Sequence, residues 1–306
     1  MTSRNLLKTL LSASLALCIL GVPVHAAQQP APQLDPRVEQ RTYLFEDTNE
    51  ELPYAVFVSS EVRPDRENPL IVALHGLGGN PNTLLRGNAL DLAEEGGYIL
   101  VGPMGYSPGG WYGTPYGRGG RGRGANGPNA GAGPRGGPAA GRGAPPQNGG
   151  GGFGSGGGTA VTDPTRVSEL SEKDVMNVLE MIRQEFNVDD ERTYLMGHSM
   201  GGAGTMYIGV KYASNWAAIG AIAPATAPAG LNPDTFSLEP ARNVPVILVQ
   251  GDQDTLVPVE GARRWVEKME ELDMTYEYIE TAGGTHGSVI GTGMPDIFAF
   301  FAEHAK

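Results

Sequence analysis

Near the middle of the chain, Gly197-His198-Ser199-Met200-Gly201 spell the pattern Gly-x-Ser-x-Gly. An apolar stretch, Thr193 to Met196, precedes them, and a helical pattern from about Gly202 to Tyr212 follows. A serine on such a strand-to-helix turn projects its hydroxyl as a nucleophile, and small neighbours let the strained backbone close. The start of the next helix adds N–H donors and a positive dipole end where an oxyanion would develop. The chemistry this serves is acyl transfer through a covalent serine intermediate.

A serine hydroxyl needs a base, and the chain has five histidines. His25 lies in an N-terminal leader, His75 precedes the nucleophile, His198 adjoins it, and His304 is near the C-terminus. His286 remains, in the Gly-rich stretch Ala282-Gly283-Gly284-Thr285-His286-Gly287 after the last strand. The orienting acid is expected after the preceding strand, in Gln250-Gly251-Asp252-Gln253-Asp254-Thr255-Leu256-Val257-Pro258. Asp254 is assigned as the acid and Asp252 as a turn residue, with Leu256-Val257-Pro258 expected to anchor the loop. The order Ser, Asp, His along the chain agrees with a nucleophile-elbow enzyme. Two oxyanion donors are expected: the amide of Met200, and that of Leu77 in the turn His75-Gly76-Leu77-Gly78-Gly79.

These residues need a scaffold that brings distant loops to one edge. Arg41–Glu46 and Tyr54–Val58 alternate as a hairpin around a polar turn, and Pro69–Leu74 is a continuous apolar run suited to a strand covered on both faces. Further strands are expected at Tyr98–Val101, Thr193–Met196, Trp216–Ala223, Val244–Val249 and Thr275–Glu280. Helices are expected at Leu84–Glu95, Ser168–Phe186, Gly202–Tyr212, Gly261–Leu272 and Pro295–His304, with Ser171 and Asp174 at capping-box spacing in the second. Alternating strands and helices imply an α/β fold with a doubly wound, mainly parallel sheet and an N-terminal antiparallel hairpin.

Residues 1–26 read as a signal peptide: Arg4 and Lys8, then an apolar run from Leu10 to Leu20, then Val24-His25-Ala26. That run is too short for a membrane span, so the mature chain is expected to be secreted or periplasmic, with none. Cys18 is the only cysteine and lies inside the leader, which excludes disulfides and thiol chemistry from the mature chain. Residues 27–40 are polar and Pro-rich and read as a flexible leader, and 41–306 as the catalytic domain. The net charge of −12 becomes −14 once Arg4 and Lys8 are lost, which argues against a nucleic-acid partner. Within the domain, Gly117–Gly158 holds 20 glycines in 42 residues, five arginines and no acidic residue. It reads as a disordered surface insertion. Before it, Tyr106, Trp111 and Tyr112 lie in a Gly/Pro-rich loop and are expected to contact substrate, opposed by the reading that they pack the loop.

The segments Leu74–Gly79, Gly197–Gly202, Gln250–Pro258 and Gly284–His286 together resemble the α/β-hydrolase superfamily. Within it, the chain resembles secreted esterases grouped with polyhydroxybutyrate depolymerases and feruloyl esterases. It also resembles compact prolyl-oligopeptidase-like peptidases that begin with a hairpin. The resemblance spans about residues 41–304 except the Gly/Arg insertion. It implies a serine carboxylic ester hydrolase without metal or organic cofactor, acting on an aryl, feruloyl-type or polymeric ester. A serine peptidase is the alternative, and a non-catalytic scaffold a third.

Overall fold

The computed structural model describes residues 34–115, 157–226 and 230–306. The expected signal peptide and nearly all of the Gly/Arg insertion lie outside the described residues.

The strands run β1 (Val38–Phe45), β2 (Glu50–Val58), β3 (Asn68–Leu74), β4 (Ile99–Pro103), β5 (Val188–His198), β6 (Ala218–Ile222), β7 (Val246–Gly251) and β8 (Tyr276–Thr281). They form one sheet in the order β1-β2-β4-β3-β5-β6-β7-β8. β1, β2 and β4 pair antiparallel, and every pair from β4 through β8 is parallel. The helices are α1 (Asn88–Glu95), α2 (Pro164–Glu185), α3 (Met200–Lys211), α4 (Val259–Glu271) and α5 (Ser288–Glu303).

The period-2 pleat splits each central strand between two cores. Leu70, Val72 and Leu74 of β3 join Leu195, Ile219, Val246 and Leu248 on one face, where α2, α3 and α4 bring Val175, Val178, Met206 and Trp265. Ile71 and Ala73 join Tyr194, Met196, Ile247 and Val249 on the other, where α1 and α5 bring Leu90, Ile297 and Phe301. Coverage on both faces is why these strands read as unbroken apolar runs.

Several boundaries depart from expectation: β2 and β5 start four and five residues early, at Glu50 and Val188, α1 starts four residues late, at Asn88, and three further departures change how elements are held. β1 begins at Val38, so the last residues of the expected leader pair with β2. α2 begins at Pro164, capped by Asp163, whose carboxylate accepts the Arg166 N–H at 2.8 Å. Ser171 and Asp174 therefore sit inside the helix, buried, and do not cap it. α5 begins at Ser288 and carries Pro295 in its interior. A proline there leaves the carbonyl four residues back, Gly291, without its helical donor. The Asn88 side-chain amide supplies one instead, at 2.8 Å.

Candidate active site

All parallel strands present their C-terminal ends at one edge, and the loops that leave that edge carry the candidate residues. Ser199 follows β5 directly, with φ 58° and ψ −115°. That conformation is strained for a residue with a side chain, and three backbone hydrogen bonds enforce it. The Ser199 N–H donates to Ile222 O at 2.9 Å, and its carbonyl accepts from Ala203 N and Ala225 N at 3.0 Å each. Gly201 is required by close approach, since a Cβ there would run into the Leu74 carbonyl. Met200 opens α3, so its amide has no helical acceptor behind it.

The turn after β3 packs against this elbow. A Cβ at Gly76 would lie 3.3 Å from Ser199 Cβ and 3.2 Å from His198 Nδ1. The turn closes through Gly79 N–H to Gly76 O at 3.0 Å, with Leu77 at its tip. His75 stays beneath, fully buried, with Nδ1 and Nε2 each 2.8 Å from a carbonyl, those of Gly76 and Met104. It braces the turn and lies away from solvent.

His286 and Asp254 meet directly, Nδ1 to Oδ2 at 2.7 Å, with the Asp254 side chain fully buried and the His286 side chain 17% exposed. Burial works against charge on Asp254, but the Val257 N–H, the His286 ring and the Leu256 N–H together hold its carboxyl below the ordinary range. Both amides reach Oδ1 at 2.9 Å, and Gln250 Nε2 donates to Oδ2 at 3.2 Å. The acid is thus ionised and fixed, as an orienting carboxylate must be. Asp252 does different work: its Oδ1 accepts the Gly283 N–H at 2.7 Å and ties down the loop that carries His286. Val257 is buried and anchors the acid's loop, whereas Leu256 and Pro258, expected to help, point outward.

Ser199 and His286 are joined through His198. His198 Nε2 donates to the His286 carbonyl at 2.9 Å, and the two rings lie 4.6 Å apart, centroid to centroid. Burial, then the neighbouring His286, lowers the His198 pKa to about 4, so it is neutral at ordinary pH. The sequence set His198 aside as a base. Its role in aligning the His286 loop has no sequence signal, because the contact spans 88 positions.

The aromatic loop corrects an expectation. Tyr106 and Tyr112 are completely buried and do not face the cleft. Tyr106 donates to Glu50 Oε2 at 2.8 Å, and Tyr112 donates to His75 O at 3.2 Å. Trp111 alone of the three is partly exposed. All three have positive φ, an unusual state for bulky side chains. The polar face of α2 holds them there. Ser168 Oγ donates to Thr114 O at 3.1 Å, Ser171 Oγ accepts the Tyr112 N–H at 3.1 Å, and Asp174 Oδ2 accepts the Gly105 and Tyr106 N–H groups at 2.6 and 3.1 Å. Asp174 also accepts the Tyr43 hydroxyl at 2.5 Å, and burial raises its pKa to about 6.

An open groove of about 360 Å³ lies elsewhere, lined by Tyr43, Leu44, Asp47 and Lys173 among others. None of its lining residues belongs to the elbow or to the His286–Asp254 pair. Among the described residues, no helix is long and apolar enough to cross a membrane.

Residues 175–288 match the model of the Esterase family. Among solved structures, an S-formylglutathione hydrolase from Agrobacterium tumefaciens is similar at 18% identity and a TM-score of 0.60, over 88% of this chain and 95% of that one. A ferulic acid esterase from Anaeromyces mucronatus, in complex with ferulic acid, is similar at 17% identity and 0.58, over 90% and 93%. A thermostable esterase is similar at 21% identity and 0.58, over 88% of this chain but only 64% of that chain's length. No curated protein matches the sequence.

Proposed function

From an α/β-hydrolase fold whose solved neighbours include esterases, we propose that this chain is a serine hydrolase of carboxylic esters, with Ser199, His286 and Asp254 as its triad. The observation that carries the reading is the buried Asp254 carboxylate 2.7 Å from His286 Nδ1, beside a serine held at φ 58°. Asp254 fixes the imidazole tautomer, so that Nε2 is the nitrogen that takes a proton. As the Ser199 hydroxyl attacks the ester carbonyl, His286 accepts its proton, and the Leu77 and Met200 amides hold the oxyanion. His286 then returns the proton to the leaving alcohol, and water releases the acid from the acyl-enzyme. The chain's own residues supply each step, so this reading calls for no cofactor.

Residues 1–26 support export, and we read the mature enzyme as secreted or periplasmic. Trp111, partly exposed in the loop whose Pro108 bonds the turn that carries Leu77, is the one aromatic of the three that we retain as a candidate substrate contact. The fold and triad are shared by peptidases, so the test compares substrates as well as variants. Wild type should hydrolyse p-nitrophenyl esters and form a covalent adduct with a fluorophosphonate at Ser199. Ser199→Ala should lose ~10⁴-fold or more in kcat/KM and all labelling, while melting at an unchanged temperature. Turnover of a chromogenic peptide in preference to every ester would replace the esterase reading by the peptidase one, and ordinary ester turnover by Ser199→Ala would remove Ser199 from the mechanism.

A further inference from the structure

We propose that the substrate is apolar on both sides of its scissile bond, and that Leu77 and Leu256 receive these two arms from opposite sides of Ser199. The inference rests on the ester-hydrolase reading and adds the substrate's character to it.

Among the described residues, three large apolar side chains stand exposed: Leu44, Leu77 and Leu256, at 51%, 66% and 73%. A single exposed leucine is ordinary. Here two of the three occupy the loops of the proposed reaction centre, one beside an oxyanion donor and one beside the acid. Neither is exposed because its loop is slack. The Leu77 turn is closed by the bonds of Gly79 N to Gly76 O at 3.0 Å and of Gly78 N to Pro108 O at 2.8 Å. Leu256 is held by its own N–H on Asp254 Oδ1 at 2.9 Å, with Val257 beside it bonded to the same oxygen. Firm backbones therefore present two apolar side chains to solvent.

Sheet order sets where they stand. Leu77 follows β3, Ser199 follows β5 and Leu256 follows β7, with β6 between the last two. Neighbouring strands lie about 4.8 Å apart, so the strand ends that carry the leucines are about 14 Å apart, with that of Ser199 between them. An ester whose carbonyl sits on Ser199 sends its acyl and alcohol portions in different directions, and the leucines bracket that span. On the β3 side Leu77 is near the loop that carries Trp111, since a Cβ at Gly109 would lie 3.5 Å from Leu77 Cδ1. An ester with an aliphatic or aryl group on each side of the bond, whether a monomer or a unit of an apolar polyester, has the chemistry to fill both positions.

The test varies one arm at a time. The acyl series compares p-nitrophenyl octanoate with p-nitrophenyl acetate, and the alcohol series compares octyl butyrate with ethyl butyrate. Each readout is the long-to-short ratio of kcat/KM, so any general loss from disturbing the site cancels. We expect Leu77→Ser to lower one of the two ratios and Leu256→Ser the other, each by about threefold to tenfold, the effect of losing partial burial against one leucine. Leu77→Met and Leu256→Met, which stay apolar, should keep both ratios. If neither serine variant changes either ratio, or both act on the same arm, the inference is overturned while the esterase reading stands. If wild type hydrolyses none of these esters, the esterase reading fails and this inference with it.

Discussion

The loops after β5, β7 and β8 and the loop after β4 leave the same edge of the sheet, yet they are held in opposite ways. The first three carry Ser199, Asp254 and His286, and their supports are local or run from strand end to strand end. Ser199 is pinned by the backbone of β6 and its following turn, and Asp254 by amides two and three residues onward. The Asp254 and His286 loops touch so closely that a Cβ at Gly251 would strike the Gly284 carbonyl. The loop after β4 carries three aromatic residues at positive φ, and it is held by polar side chains from the interior of α2, about 60 to 70 positions away. In one region strain sits on the proposed nucleophile; in the other it sits on the packing that borders the candidate site. The lesson is that local supports write themselves into short motifs, whereas distant ones leave only isolated polar residues in a helix.

The largest expected effect breaks the first region at its acid. Asp254→Asn should keep the fold and its amide contacts while presenting His286 with a group that stabilises no imidazolium. Its kcat should fall on the order of 10³–10⁴-fold. Asp252→Asn keeps an oxygen for the Gly283 N–H and should cost about 1 kcal/mol or less. Steady-state kinetics on one soluble ester, with both variants checked for an unchanged melting temperature, compares them. The reverse ranking would make Asp252 the acid.

The second region should respond in stability, and with pH. Asp174→Ala leaves the Gly105 and Tyr106 N–H groups buried without acceptors, a loss on the order of 2–5 kcal/mol. Asp174→Asn is the sharper probe. Its oxygen can replace Oδ2 toward both amides, and its NH₂ can donate to the Tyr43 oxygen where Oδ1 accepted. Burial raises the wild-type carboxyl from 3.8 to about 6, so the folded state holds its proton longer than the unfolded chain does. Folded protein therefore binds more protons between those values, and Asp174 makes stability fall as pH rises through that window, by up to roughly 3 kcal/mol. Below it both states are protonated, and above it both are ionised. Urea melts from pH 4 to pH 7 should show wild type losing stability relative to Asp174→Asn across that interval. A constant difference would mean that Asp174 is not a raised carboxylate in the fold.

What the sequence made legible follows the same division. Gly-x-Ser-x-Gly, the Gly251–Pro258 stretch and the loop histidine His286 stand out as a candidate site because the proposed chemistry demands particular residues at short spacing. Unbroken apolar strands pointed to a sheet covered on both faces. Tyr106 and Tyr112 misled because a Gly/Pro-rich loop ordinarily lies on the surface; their burial depends on Ser171 and Asp174, and those looked like a helix cap. Asp163-Pro164 is a cap followed by a proline at the first helical position, and it lies ahead of the apolar periodicity, which starts later in the helix. Leu256 was expected to anchor its loop; its amide does so, on Asp254 Oδ1, while its side chain stands in solvent and only that of Val257 is buried. In each case a one-dimensional pattern named the residue type and tertiary contact chose its direction.

The smallest expected effect concerns the helix that follows His286. α5 starts two residues after it, so the docking of α5 bears on the histidine's loop. Pro295 removes the N–H that Gly291 O would accept, and Asn88 Nδ2 replaces it from α1. Asn88, Gly291 and Pro295 are all exposed, so water can partly stand in, and Asn88→Ala should cost only about 0.5–1 kcal/mol. The sharper measurement is a double-mutant cycle with Pro295→Ala. Alanine restores the missing N–H and removes the ring that pushes the carbonyl outward, so the helix can bond Gly291 O internally. Asn88→Ala should then cost less in the Pro295→Ala background than in wild type, leaving a coupling of about 0.5 kcal/mol. Equal costs in both backgrounds would mean that Asn88 stabilises α1 alone. The proline in α5 would then be accommodated by the apolar packing of Val289, Met294 and Ile297 alone.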